Sequence, residues 1–323
     1  MSSLLRLARA LTCAALLSVV SAAAFAQEEQ QPAAQPAAPT AARVEVMLAG
    51  GKGRAAPELT RADVRVLVDG VERPVVSFEK GSHTVSYGLM VDNSGSLRTQ
   101  IDRVTPAAMS LVMQNGPGDE TFVLRFVASD TIRVLQPFTA DKAAVNRALE
   151  SMYIEGGHTA LLDALYVAGE YLLKNASRAD APQRRLALVL VSDGEDREST
   201  HKLEQVLKLL KDGGVRVFCV GLTADLEDSR GFVGAGKRQK AKDLLAKIAE
   251  ETGGRVFYVE KDGQLEGAVN DVVRDVRTSY VIGYTPPEPG AKGGGKVEVK
   301  VVGAPGKEKV KAQIVQKEAE ARP

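Results

Sequence analysis

Hydrophobic positions along this chain recur with two different periods. Between residues 43 and 80 they alternate with polar ones. Val44, Val46 and Leu48 do so, as do Val64, Val66 and Val68 before Asp69-Gly70, a hairpin-turn dipeptide. Val75, Val76 and Phe78 continue on a return strand. A period of two turns one face of each strand toward a core. From residue 84 to about 278 the pattern switches to solid apolar runs separated by helically spaced segments. The runs at 85–91, 121–127, 186–191, 215–221 and 255–259 read as strands covered on both faces. Segments 160–173, 203–210 and 241–250 read as helices, with Leu161, Leu162, Leu165 and Ala168 marking one apolar face. Residues 131–135 follow the preceding strand across a short turn and are predicted to pair with it antiparallel. After Asp275 strands return at 280–284, 296–301 and 309–314, the last two joined by a turn at 303–306.

Strand–helix alternation predicts an α/β unit at 84–278, a mainly parallel sheet with helices on both faces. The β-rich ends, 42–83 and 279–318, would each expose an apolar sheet face alone. They are therefore expected to pack together as one discontinuous, β-sandwich-like domain into which the α/β unit is inserted. The lysines at 296–311 read as a solvated sheet face, since the valines between them point the other way.

The first 26 residues read as a secretory signal peptide. Arg6 and Arg9 form the positive end, residues 11–20 the apolar stretch, and Ala24-Phe25-Ala26 the small-x-small cleavage site. Residues 27–41, rich in Gln, Pro and Ala, read as a disordered linker. An exported protein, periplasmic or extracellular, is expected, with no transmembrane segment after cleavage. Cleavage removes two of the 42 basic residues and none of the 41 acidic ones, leaving a net charge of −1. That balance gives no footing for nucleic acid. One cysteine then remains, Cys219, within an apolar strand and without a disulfide partner.

The chemistry concentrates where apolar runs end. Asp92-Asn93-Ser94-Gly95-Ser96 follows the strand at 85–91 directly. A carboxylate and two hydroxyls at alternating positions of a tight turn supply the hard oxygens that Mg²⁺ prefers. Thr159 stands just before a helix, after Gly156-Gly157-His158. Asp193 ends the strand at 186–191 within Ser192-Asp193-Gly194. In a parallel sheet all three segments fall at the carboxyl edge, where such sheets bind ligands.

The segment 84–278 resembles a von Willebrand factor A (VWA) domain, a Rossmann-like α/β fold. The family's metal-ion-dependent adhesion site combines Asp-x-Ser-x-Ser with a distant Thr and a distant Asp. In this chain these fall on Asp92, Ser94, Ser96, Thr159 and Asp193. The flanks, with Leu59–Val66 leading to Asp69-Gly70 and Tyr280-Val281-Ile282-Gly283-Tyr284-Thr285-Pro286, resemble those of bacterial exported members. The resemblance implies a Mg²⁺ site, with Mn²⁺ or Ca²⁺ as substitutes, whose open position takes an Asp or Glu carboxylate of a partner protein. It also marks the last helix, around 265–276, as the element that some members move to change affinity.

The reading is an exported, metal-dependent protein-binding module and not an enzyme. Two alternatives stand beside it: a Mg²⁺-dependent hydrolase acting at the same site, and a structural envelope protein with a vestigial site. The first lacks a general base, since Asp92 and Asp193 are both given to the metal. Residues 231–237 match the start of a phosphate-binding loop, but Arg238 holds the Ser/Thr position and no strand precedes it, so no nucleotide is expected. His83, His158 and His201 lack zinc-type spacing. Glu195-Asp196-Arg197-Glu198 reads as a solvated acidic loop at the rim.

Overall fold

The protein's structure, a computed structural model, describes residues 41–49, 57–81, 83–177, 184–226, 236–261, 263–288, 295–302 and 311–318. The predicted signal sequence, all but the last residue of the linker, the turn at 303–306 and most of the 231–237 segment lie outside them.

Among the described residues the first strands are β1 (Ala42–Ala49), β2 (Val64–Val68), β3 (Val71–Arg73) and β4 (Val75–Gly81). The strand that returns from the turn after β2 is β3, not the expected 75–78 segment, which as β4 joins a different sheet. Between β2 and β3, Asp69 and Gly70 take φ values of 51° and 82°. Two successive left-handed residues are what a two-residue type I′ hairpin requires, which is why Asp-Gly sits there. The α/β unit follows as β5 (Val85–Asp92), α1 (Ile101–Met113), β6 (Glu120–Phe126), β7 (Arg133–Thr139), α2 (Lys142–Glu150), α3 (Leu161–Asn175), β8 (Arg185–Ser192), α4 (Leu203–Asp212), β9 (Val215–Gly221), α5 (Lys237–Glu251), β10 (Arg255–Tyr258) and α6 (Gln264–Arg277). The chain ends with β11 (Ser279–Tyr284), β12 (Val297–Val301) and β13 (Lys311–Glu318).

Six strands form the central sheet in the order β10-β9-β8-β5-β6-β7. All neighbours pair parallel except β6 and β7, the antiparallel pair expected from the short connection. β7 begins at Arg133, later than expected, because residues 129–131 form a 3-10 turn. Helices α1, α2 and α6 share one core with Val85, Tyr87, Leu89 and Val91 of β5; α3, α4 and α5 share the other with Met90. Every residue of β5 is buried, as a central strand covered on both faces must be.

Gly88, in mid-strand, is demanded by that packing. A Cβ there would stand 2.4 Å from Leu188 Cδ2 and 2.5 Å from the Phe122 ring. Gly88→Ala is expected to cost about 1–3 kcal/mol through overpacking. A denaturant melt showing an unchanged midpoint would refute that reading.

The two ends of the chain meet in space. β1 pairs with β11 and β13, and β11 with β4, to give a four-stranded antiparallel sheet; β12, β2 and β3 form a second sheet. Val44, Val46, Tyr280 and Ile282 of the first share a core with Val66 and Val299 of the second. β1 is fastened to the amino-terminal edge of the central sheet through charged side chains at the starts of β8 and β9. Arg185 pairs with Glu45, which also meets His83. Burial alone would raise the Glu45 pKa, but hydrogen bonds from His83, Arg185 and Ser279 outweigh it and hold it at about 2. Buried Arg216 donates to the carbonyls of Gly253, Leu48 and Asp275. The opposite, carboxyl edge is thereby left to the candidate site.

Candidate metal centre

Three adjacent strands end side by side and deliver the five sequence-derived residues. Asp92 is the last residue of β5. Asp193 follows Ser192, the last residue of β8, and β8 is the parallel neighbour of β5. On the other flank, Ala160 N–H donates to the Val127 carbonyl just past β6 at 2.7 Å, which holds Thr159 at the same edge. Ser94 and Ser96 lie in the turn that leads from β5 into α1, where residues 95–97 form a 3-10 turn. Asp92, Ser94, Thr159 and Asp193 are all buried, while Ser96 is exposed. One side of the cluster therefore opens to solvent.

The local bonds hold these oxygens together. The Ser94 N–H donates to Asp92 Oδ1 at 2.9 Å, an Asx-type turn that folds the loop back over its own carboxylate. The hydroxyls of Ser94 and Ser96 lie 3.0 Å apart. Ser192 donates its hydroxyl to Asp92 Oδ2 at 2.7 Å and accepts the Gly194 N–H at 3.0 Å. The Glu195 N–H donates to Asp193 Oδ1 at 2.9 Å. Asp193 Oδ2 is buried and has no hydrogen-bond partner. The Thr159 carbonyl accepts from the N–H groups of Arg197 and Glu198.

The electrostatics are those of two carboxylates short of positive charge. Burial is the main reason the Asp92 pKa is raised to about 7, and the Asp193 charge pushes it the same way against the bonds from Ser94 and Ser192. Asp193 is raised as well, chiefly by burial, with Ser96 and the Glu195 N–H offsetting part of the cost. Among the described residues no group of three or more His, Cys, Asp or Glu side chains converges. The donor set at this edge is instead two carboxylates and three hydroxyls. Such a set suits a hard, oxygen-seeking dication. The orphaned Asp193 Oδ2 is an atom such an ion would satisfy.

The sequence model of the von Willebrand factor type A domain matches residues 88–271, more than half of the chain. The chain belongs to this family. No curated protein matches it. Among solved structures it is similar to a von Willebrand factor type A protein from Catenulispora acidiphila, at 16% identity and TM-score 0.51, over 88% of this chain and 74% of that one. An aerotolerance-related membrane protein from Bacteroides fragilis is similar at 19% identity and TM-score 0.44, over 59% of this chain and 98% of that one. Proximal thread matrix protein 1 of the mussel byssus, with its MIDAS motif occupied by zinc, is similar at 19% identity and TM-score 0.47, over 62% and 49% of the two chains.

The VWA fold places several residues that the linear motif does not mention. Ser192 is read in sequence only as the neighbour of Asp193, yet it bonds Asp92. Asn93, a variable position of the motif, is fully buried and ties the loop to the segment before Thr159: its side chain donates to the Tyr153 carbonyl at 2.7 Å, and its carbonyl accepts the Glu155 N–H at 3.1 Å. The loop at 195–198 is solvated as its composition suggests, with Arg197 and Glu198 exposed and Glu195 and Asp196 partly so. Glu195 pairs with Arg197, and His158 with Glu198 at 3.2 Å. Asp196 accepts the Leu162 N–H, capping the start of α3, and the Ser199 hydroxyl.

Asp163, in the first turn of α3, is a second organiser. It accepts from the Thr200 N–H at 3.0 Å, from the His201 N–H at 2.8 Å and from His201 Nδ1 at 2.7 Å, and it meets the Ser129 hydroxyl. His201 in turn stacks on Tyr166 at 3.9 Å. Its signal in sequence was an acid in the first turn of a helix, where N–H groups lack partners.

Proposed function

We propose that this protein is an exported protein-interaction module that holds a divalent cation, Mg²⁺ by preference, on Asp92, Ser94, Ser96, Thr159 and Asp193. The cation would present an open position to an Asp or Glu carboxylate of a partner protein. The observation that carries the reading is the buried, unpartnered Asp193 Oδ2 beside an equally buried Asp92. Leaving two carboxylates under-compensated at one strand edge is costly, and a bound cation removes the cost. When bound, the ion supplies Lewis acidity toward an incoming carboxylate. The hydroxyls of Ser94, Ser96 and Thr159 give it neutral oxygens, so its charge is not fully cancelled. The Asx turn at Asp92 and the Ser192 bond fix both carboxylate oxygens before any ion arrives.

Export rests on the sequence of residues 1–26. Among the described residues no helix is long and apolar enough to cross a membrane. The 42–83 and 279–318 segments would serve as the platform that carries the VWA unit.

Millimolar Mg²⁺ is expected to raise the melting temperature of the protein, and EDTA to reverse the effect, by mass action on the folded state. A melting temperature that ignores Mg²⁺, Mn²⁺ and Ca²⁺ would overturn the metal assignment and favour a vestigial site. Turnover of a phosphoester panel, abolished by Asp193→Ala, would overturn the non-enzymatic reading.

A further inference from the structure

Beside the Asp92–Ser96 loop stands an aromatic side chain that no part of the metal motif requires. Tyr153 is 57% exposed, one of few large apolar side chains left so open. Exposure is ordinarily accompanied by freedom, yet Tyr153 is held from two directions. The Asn93 side chain binds its carbonyl at 2.7 Å. The Arg125 guanidinium lies over its ring, 4.9 Å from the centroid. Arg125 is fixed in turn by Glu155, at 2.8 Å, and Glu155 is held through its N–H by the Asn93 carbonyl. Asn93 sits between Asp92 and Ser94. The Tyr153 backbone is thus hydrogen-bonded to the metal loop, and its ring rests on Arg125, which is tied to the same loop through Glu155.

Holding an exposed ring rigid costs side-chain entropy in the free protein, and no burial repays it. The same rigidity favours association, because the ring is ordered before a partner arrives. A fixed, exposed Tyr is also the kind of residue that carries binding energy at protein interfaces. The charges beneath it cancel: Arg125 and Glu155 neutralise one another, so the ring offers an apolar face without a net field.

Building on the proposed metal site, we infer that Tyr153 is a specificity-determining residue, and that the partner segment is an acidic side chain with an aliphatic or aromatic neighbour that packs on Tyr153. The ring discriminates among carboxylate-bearing segments that the cation alone would accept equally.

A random peptide library displayed on phage, panned against the full mature protein in Mg²⁺ and counter-selected in EDTA, tests this. Mg²⁺-dependent binders are expected to carry Asp or Glu beside an apolar residue. Synthetic copies of them are expected to bind Tyr153→Ala about tenfold or more weakly than wild type, and Tyr153→Phe nearly as well as wild type. The Mg²⁺-induced melting shift should be the same in all three proteins. Mg²⁺-dependent peptides that show no apolar preference, or that bind Tyr153→Ala unchanged, would overturn the inference and leave the metal site standing. Peptides that bind equally in EDTA would overturn the metal reading and this inference with it.

Discussion

Asp92→Asn is expected to make the metal-free protein more stable at pH 8 and blind to Mg²⁺. The Asp92 pKa is raised to about 7 in the folded protein, against an ordinary 3.8. Between those values the folded protein keeps a proton that the unfolded chain has released. Stability without metal must then fall as the pH rises from about 4 to about 7, and above that the full penalty is present. A difference of that size is worth at most about 4 kcal/mol. Asn is neutral, so the penalty disappears and most of the slope with it; Asp193, raised chiefly by burial, keeps its own contribution. Magnesium is expected to have the opposite effect on wild type: to displace the proton, to bind more tightly at pH 8 than at pH 6, and to restore the stability that deprotonation removes. Urea melts at pH 5 and pH 8, with Mg²⁺ and with EDTA, read all four quantities. A variant that still gains stability from Mg²⁺ would remove Asp92 from the site.

Asp163→Ala should produce a large loss of stability, about 2–3 kcal/mol. The carboxylate is buried and bound by two backbone N–H groups, a hydroxyl of Ser129 and the ring of His201. Removing it leaves those donors, which are only partly buried or exposed, without their charged acceptor. Burial raises the Asp163 pKa, but the bonds from Ser129, Thr200 and His201 outweigh it and hold the group below the ordinary carboxylate range. Its contribution is therefore complete above about pH 4 and is lost as the pH falls further. Wild type and variant should converge in stability under strongly acidic conditions. Asp163→Asn, which keeps acceptor capacity on one atom, should fall between them. Equal melting midpoints at pH 7 for wild type and Asp163→Ala would refute the role.

Much of the α/β unit was legible because its signals are local. Unbroken apolar runs such as 186–191 and 215–221 mark strands whatever surrounds them, and helical spacing at Leu161, Leu162 and Leu165 marks α3. Helix α1 was harder to read, since Pro106 interrupts it, and Pro inside a helix ordinarily argues against one. The first residues of β7 were misread for a related reason: Thr131 and Ile132 have strand propensity, but the turn at 129–131 takes them first.

Four of the five candidate ligands stand out because they follow a strand signal at a parallel sheet's carboxyl edge, and Thr159 because it follows a glycine-rich turn just before a helix. Their partners were not. Nothing in Ser192 or Asn93 as residues says that one bonds Asp92 and the other reaches Tyr153, since both bonds span dozens of positions. The loop at 195–198 is solvated as a run of four charged residues suggests, but one role in it was hidden: Asp196 caps a helix whose approach only the folded chain defines.

By itself, then, the sequence determined which residues are apolar at which period, and hence the strands, most helices and the oxygens at the strand ends. The tertiary structure decided how those oxygens are charged and what stands beside them. A carboxylate in the chain has an ordinary pKa. It becomes a reluctant anion only when β5 and β8 bury Asp92 against Asp193. Tyr153 is likewise one tyrosine among seven until Asn93 and Arg125 fix it at the edge of the metal loop. Burial and long-range charge depend on distances that no local pattern encodes, so both emerge only with the fold.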